Sequence, residues 1–337
     1  MRASFYHGHR TFSTGEAAIP TPKAGEALLR VRRVGICGTD LHIYQGHLDH
    51  RVPKNGVIGH ETFAHVRSAP PGSGFAEGDR VVVEPVLFCG ACRACRMGAT
   101  YLCQQLKVLG VDVAGGMQEY WAVPADRLLK VPDSISDDHA PVIEPLAVAV
   151  HDVTRAGVNS GDSVVVFGGG PIGCLIALVC RHRGAGVKVV EINPHRVKML
   201  DGLGLDTIGP GEDVLRIVND WTGGAGADIA FEVTGDAAAA RLVPDTVRVW
   251  GTVSIIAIHA EPVPFNLYAL FARELTVHGS RLYTRAAWEE AIRLGAGGHI
   301  PIGALVTRII ALEELQDGME EALRGGPVMK VLVDLVG

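Results

Sequence analysis

Four cysteines lie in one short segment, FCGACRACRMGATYLC: Cys89, Cys92, Cys95 and Cys103, spaced C-x2-C-x2-C-x7-C. Four thiolates this close surround one Zn²⁺ tetrahedrally and leave no position vacant, which is the pattern of a structural site. Four unrelated buried cysteines would need apolar neighbours, and Arg93, Arg96 and the small residues between them provide no such periodicity. The chain has seven cysteines, an odd number, and their clustering suits a reduced compartment where thiolates hold metal instead of pairing as disulfides. A second set is scattered: Cys37 in GICGTDLH, His60 and Glu61 in GHE, and Glu144 in PVIEPLAVAVH. Taken singly, Cys37 reads equally as a small core residue, His60 as a satisfied core histidine and Glu61 as a surface carboxylate. Glu144 is harder to dismiss, because a carboxylate in an almost unbroken apolar stretch is costly unless it is paired or bound to metal. A mixed sulfur, nitrogen and oxygen set fits Zn²⁺ and leaves room for the exchangeable ligand that catalytic zinc requires.

A third constellation points to a dinucleotide. The apolar run SVVVF leads directly into Gly168-Gly169-Gly170-Pro171-Ile172-Gly173, and a helical stretch follows. This is G-x-G-x-x-G in its strand-to-helix setting. Gly168 permits the tight turn, Gly170 lets the backbone approach a pyrophosphate, and Gly173 lets helix and strand pack closely, with the helix N-terminus facing the anion. Glu191, 18 residues past Gly173 at the end of the next strand, can accept hydrogen bonds from an adenosine ribose and would repel a 2′-phosphate. NAD is therefore favoured over NADP. Arg196, a possible phosphate partner, is the counterweight.

The elements that must position these groups change character along the chain. The first part is β-rich, with β-branched runs at 26–34 and 79–84. From about residue 150, apolar strands at 163–167, 187–191, 228–233 and 252–258 alternate with helical stretches. Such alternation marks a parallel sheet covered on both faces. Helical segments at 286–296 and 312–323 and a terminal strand at 328–336 are too little for a third domain and are expected to pack back on the N-terminal part. The expected class is thus α/β, and 337 residues predict two domains. Composition is ordinarily globular, with 47% hydrophobic and 20% charged residues, which excludes disorder and a small disulfide scaffold. A net charge of -6 without long Lys/Arg runs argues against nucleic acid and anionic membranes as partners. The N-terminal MRASFYHGHRTF lacks a signal-peptide core and no 18-residue apolar stretch occurs, so a cytoplasmic protein is expected.

Taken together, GICGTDLHIYQG (35–46), VIGHE (57–61), the four-cysteine lobe, EPLAVAVH (144–151), GGGPIG (168–173) and GSRLYT (279–284) resemble the zinc-containing medium-chain dehydrogenase/reductase family. Within it, the likeness is to the branch of polyol, threonine, butanediol and sugar-acid dehydrogenases. The resemblance implies a GroES-like catalytic domain from both chain ends (1–150 and 285–337, zinc lobe about 86–106) and a Rossmann domain over 151–284. It implies two zinc ions per subunit. Cys37, His60 and Glu61 match the catalytic ligands, and Glu144 the mobile or water-mediated fourth. Asp40 matches a carboxylate that hydrogen-bonds the zinc-bound histidine, while Thr39 and His42 match a proton relay through the cofactor ribose. Thr234, Ile256 and Ile258 are expected beside the cofactor. The stretch from Gly173 to Glu191 is one residue shorter than usual in this branch. Tyr44, Asp112 and Arg281 are substrate-pocket candidates on position alone.

The implied reaction is hydride transfer between a secondary alcohol, such as a polyol or sugar acid, and NAD. L-threonine 3-dehydrogenase and 2,3-butanediol dehydrogenase are the alternatives within the class. Outside it stand a catalytically silent NAD-binding regulator, which would lose the open metal site, and a zinc hydrolase, which would not need the dinucleotide loop. The family's habit of pairing sheets along an edge strand, here LTVHGS (275–280), predicts a homodimer or homotetramer.

Overall fold

In the computed structural model, which describes residues 1–259 and 261–336, the chain divides into two units. One comprises Met1–Glu144 and the stretch from Ala291 onward; the other is Pro145–Glu290. Both joints lie inside helices, Ile143–Ala156 and Arg285–Ala296. The sequence-based boundaries at 150 and 285 each fall six residues from this division, because a helix running through a joint carries no linker composition to mark it.

The first unit opens with a short antiparallel hairpin, Arg2–Tyr6 with Phe12–Glu16, and its main sheet begins with β1 (Glu26–Gly35). Along β1 the side chains of Ala27, Leu29, Val31 and Val34 are buried, the half-buried alternation that its sequence predicts. Helix α1 (Gly38–Tyr44) follows at once. Strands β2 (Glu61–Ser68), β3 (Arg80–Val83), β4 (Tyr120–Pro124) and β5 (Leu128–Lys130) complete this part of the unit. Strands β2 and β4 both pair antiparallel with β1, and β3 joins β2 to β5. Ile43, Ile58, Met117 and Trp121 lie in the core beneath.

In the second unit, α2 (Ile143–Ala156) leads to β6 (Ser163–Phe167) and α3 (Pro171–His182). Then come β7 (Gly186–Val190), β8 (Asp206–Ile208), β9 (Ala227–Glu232), β10 (Val247–Ile255) and β11 (Thr276–Gly279). All pairings are parallel, in the order β8-β7-β6-β9-β10-β11. This is the doubly wound dinucleotide-binding arrangement, with order reversing beside β6. Val164, Val165, Val166 and Phe167 are consecutively buried, as a central parallel strand covered on both faces requires.

The chain then returns to the first unit, where β12 (Val306–Ala311) runs parallel to β13 (Lys330–Asp334), and β13 pairs antiparallel with β1. The sheet there reads β12-β13-β1-β2-β3-β5. Among the described residues no helix is long and apolar enough to cross a membrane.

Candidate active site

Cys37 caps the N-terminus of α1, and His60 and Glu61 enter β2 on the neighbouring strand. One ligand atom from each of the three lies within 4.8 Å of the others. Asp40, fully buried in the first turn of α1, accepts the Cys37 N–H at Oδ2 (2.9 Å). Its other oxygen is 3.6 Å from His60 Nδ1, and both atoms are buried without a hydrogen-bond partner among the described residues. A neutral His60 with its proton on Nδ1 satisfies both by a small approach and leaves Nε2 for a metal. Burial disfavours a charged His60, yet the Asp40 carboxylate and Cys37 sulfur raise its pKa well above the ordinary value. The cluster thus attracts positive charge, and its soft, borderline and hard donors suit Zn²⁺.

Glu61 has a further partner that its sequence neighbourhood does not disclose. Lys330 Nζ, on β13, donates to Glu61 Oε1 (2.7 Å) and Oε2 (2.8 Å) and to the Ile36 carbonyl (3.1 Å). Burial lowers the lysine's affinity for its proton, but Glu61, Cys37 and Glu144 raise its pKa above normal on balance. Glu144 is buried at the start of α2. It lies outside the three-ligand cluster, within electrostatic reach of the Lys330 ammonium.

Thr39 and His42 lie on α1, both half-buried. Burial, followed by the neighbouring His47, lowers the His42 pKa, and the Nδ1 atoms of the two rings are 3.2 Å apart. Two of the substrate candidates are already engaged within the protein. Tyr44 is 1% exposed and its hydroxyl donates to Glu320 (2.9 Å), so it belongs to the packing of α1. Asp112 receives two hydrogen bonds from Arg51 (2.9 and 2.7 Å) and one from the Val108 N–H (2.7 Å), so its carboxylate is committed to holding its own loop. Arg281 lies in the second unit, exposed, just after β11.

In the cysteine lobe, Sγ–Sγ distances are 3.5 Å (Cys92–Cys95), 3.5 Å (Cys89–Cys103) and 3.9 Å (Cys92–Cys103). Zn–S bonds of about 2.3 Å place tetrahedral sulfurs about 3.8 Å apart, and a disulfide needs about 2 Å. Backbone N–H groups of Cys89, Cys92 and Gln105 point at sulfurs, each at 3.3 Å. The backbone amides of Cys95 and Gln104 bring the Cys92 pKa down to about 6, toward the thiolate that metal binding requires.

The nucleotide loop is built from close approaches. A Cβ on Gly173 would stand 1.8 Å from the Gly168 carbonyl oxygen, so only glycine lets α3 start against the turn. A Cβ on Gly170 would meet nothing nearer than Arg196 Nη1 at 3.6 Å, leaving a surface open to a pyrophosphate, and Pro171 and Ile172 form the first turn of α3 above it. Glu191 is buried directly after β7. Its Oε2 accepts the Gly169 N–H (2.9 Å), its Oε1 those of Ile192 and Asn193 (2.7 and 2.8 Å), and Arg196 Nη1 is 3.8 Å from Oε2. The shorter Gly173-to-Glu191 stretch therefore still seats the acid against the glycine turn. Thr234 follows β9, and Ile256 and Ile258 follow β10, all at the carboxyl ends of strands where such folds bind ligands. Glu232, which the sequence reading missed, organises this rim. It is fully buried, accepts from the Thr234 and Gly235 N–H groups (2.8 and 3.1 Å), and is 2.8 Å from His259 Nε2. A carboxylate closing an apolar strand was the available signal.

A parallel dinucleotide fold, a closed thiolate site and an open sulfur, nitrogen and oxygen site together define a nicotinamide-linked zinc dehydrogenase. Comparison with known proteins agrees. Residues 23–133 match the alcohol dehydrogenase GroES-like domain and residues 171–297 match the zinc-binding dehydrogenase domain. The chain is 38% identical to 2-dehydro-3-deoxy-L-galactonate 5-dehydrogenase of Pseudoalteromonas atlantica, covering 99% of this chain and 98% of that one. It is 32% identical to sorbitol dehydrogenase of Halalkalibacterium halodurans over 97% and 96% of the two chains. The crystal structure of 2R,3R-butanediol dehydrogenase from Bacillus subtilis superimposes with a TM-score of 0.90 at 30% identity, covering 99% of each chain. The chain belongs to the zinc-containing medium-chain dehydrogenase/reductase family, as a zinc- and NAD(P)-dependent oxidoreductase of alcohols.

Proposed function

We propose that the chain oxidises a secondary alcohol of a sugar acid or related polyol, with NAD as acceptor, using Cys37, His60 and Glu61 to hold the catalytic zinc and Glu144 as its exchangeable fourth partner. The observation that carries this is the convergence of the first three ligand atoms within 4.8 Å. A zinc held there would supply the Lewis acidity that lowers the pKa of a substrate hydroxyl, and a nicotinamide on the glycine loop would supply the hydride acceptor. Asp40 fixes the tautomer of His60. Thr39 hydrogen-bonds the reacting hydroxyl, and His42, kept neutral by burial, receives its proton. Gly168, Gly170 and Gly173 seat the pyrophosphate, with Pro171 and Ile172 in the turn that follows. Glu191 accepts from the adenosine ribose while Arg196 flanks it, and Thr234, Ile256 and Ile258 line the nicotinamide side. The thiolate lobe holds a second zinc and suits the reducing cytoplasm.

The full-length likeness to 2-dehydro-3-deoxy-L-galactonate 5-dehydrogenase supports this reading over threonine and 2,3-butanediol. Initial rates with a panel of sugar acids, sorbitol, threonine and 2,3-butanediol, each with NAD and with NADP, test this. We expect the highest kcat/KM for a sugar acid with NAD; a preference for threonine, or for NADP, overturns the corresponding part.

A further inference from the structure

Lys330 is 3% exposed, and its three donors meet three acceptors: both Glu61 oxygens and the Ile36 carbonyl. The contact crosses a strand. In the order β13-β1-β2, Leu332 of β13 pairs with Gly35 of β1, and Gly35 pairs with Glu61 of β2. Lys330 lies two residues from Leu332 and so shares its face of the sheet. Gly35 keeps the passage open, since a Cβ there would lie 2.0 Å from Glu61 Oε2. The sheet therefore spends a glycine and a buried cation to bring an ammonium to this carboxylate. Burying a charge is costly, and an apolar residue would serve sheet packing alone better.

The ammonium faces an oxygen pair that itself belongs to the cluster with Cys37 and His60. The anionic groups around it are Glu61, Cys37 and Glu144, while Asp40 faces His60. Any divalent metal on the three ligands shares Glu61 with a second cation. We propose that Lys330 is a positioning residue of the catalytic zinc site: by sharing Glu61 with the metal it keeps that carboxylate a weak, releasable ligand and leaves the metal more electron-poor. The charge count gives the reason. A thiolate and a carboxylate cancel the charge of Zn²⁺, whereas the added ammonium returns the site to a net positive charge that favours negative charge on a substrate oxygen.

The inference rests on the assignment of Cys37, His60 and Glu61 as ligands, and the experiment separates the two. In the full-length zinc-loaded enzyme, catalytic-site zinc affinity is measured by chelator competition, alongside the pH profile of kcat/KM, for the parent, Lys330→Met, Lys330→Arg and Glu61→Gln. Lys330→Met is expected to bind zinc at least tenfold more tightly and to move the acid limb of the profile up by about one pH unit. Lys330→Arg keeps the charge and is expected to stay near the parent in both. If Lys330→Met does not fold, Lys330→Gln gives the same readouts, because it retains a donor for Glu61 without the charge. Glu61→Gln is expected to weaken zinc binding; unchanged affinity there removes the ligand assignment, and the Lys330 role falls with it. Weaker binding in Glu61→Gln, combined with unchanged or looser zinc and an unmoved profile in the uncharged Lys330 variants, overturns the Lys330 role alone.

Discussion

Glu61 and Glu191 are both buried glutamates at strand ends, and their partners separate them. Glu61 faces an ammonium and two further candidate metal ligands, Cys37 and His60. Glu191 faces three backbone amides, so the group proposed to read the ribose also holds the loop. On the proposed reading, Glu191→Ala removes a ribose acceptor and a charge that repels a 2′-phosphate, and it also removes the partner of the Gly169 amide, loosening the glycine turn for either cofactor. The diagnostic is therefore the ratio. We expect NAD affinity to fall roughly tenfold or more and the NAD-to-NADP preference in kcat/KM to move toward NADP; an unchanged ratio removes Glu191 from the recognition of the ribose. Residue types at fixed spacings made the Cys37, His60 and Glu61 grouping and the glycine turn legible in the sequence. Lys330 was not legible, because in VMKVLVDLV it reads as one polar position of a strand. Nor were the partners of Tyr44 and Asp112 legible, because nearness to a motif says nothing about the Glu320 and Arg51 side chains that engage them.

Among the elements, the cysteine lobe and α1 hold their cysteines in opposite settings. The lobe has little structure of its own, two short helical turns (Arg93–Arg96 and Thr100–Leu102) with no buried residue, so we expect its fold to depend on the four sulfurs. Cys95→Ala should lower the melting temperature by several degrees and lose one zinc per chain. Cys37→Ala, at the cap of an α1 fixed by buried Ile43 and Tyr44, should keep the parental melting temperature and nucleotide affinity while turnover falls by several orders of magnitude. Metal analysis, thermal melts and rates on both variants check the contrast, and equal losses of stability would contradict it.

Helix α2 carries a different liability. Asp152 is fully buried there; Ser280 Oγ donates to its Oδ1 (2.5 Å), and Oδ2 has no hydrogen-bond partner among the described residues. Burial raises its pKa to about 7, against the pull of the Ser280 bond. A carboxyl raised in the folded state favours folding when protonated, and that advantage is lost as pH climbs from about 4 through about 7. The loss is on the order of 4 kcal/mol. Asp152→Asn should flatten this part of the stability curve, narrowing the difference between melting temperatures at pH 5 and pH 8; an unchanged difference would place the titration elsewhere. The parallel strands were readable because unbroken apolar runs leave few alternatives. Strand β10 was read as starting at 252 and starts at Val247, since exposed Val249 and Trp250, the latter at φ 58°, interrupt the run.

At the scale of the whole molecule, β11 ends the parallel sheet with its edge unpaired among the described residues. Val277 on it is 38% exposed, and Leu267, Tyr268 and Phe271 of the preceding helix (Leu267–Arg273) are exposed by 70 to 80%. An open edge beside an apolar patch favours pairing with another copy. Light scattering at micromolar concentration should give a dimer or tetramer mass, and Phe271→Asp with Val277→Lys should reduce it. A monomeric parent would contradict this.

The lysine that reaches Glu61 is made late. The two residues are 269 positions apart, and a ribosome adding about 5 to 20 residues per second makes Lys330 roughly a quarter of a minute to a minute after Glu61. In that interval all of Pro145–Glu290 is synthesised, and its parallel sheet needs no strand from elsewhere. The nucleotide half is thus born able to finish folding first. The other unit waits for its last strand, with the Glu61 carboxylate still lacking its ammonium. Translation order alone dictates that the growing chain can complete its parallel sheet before the Lys330 ammonium reaches the Cys37, His60 and Glu61 cluster.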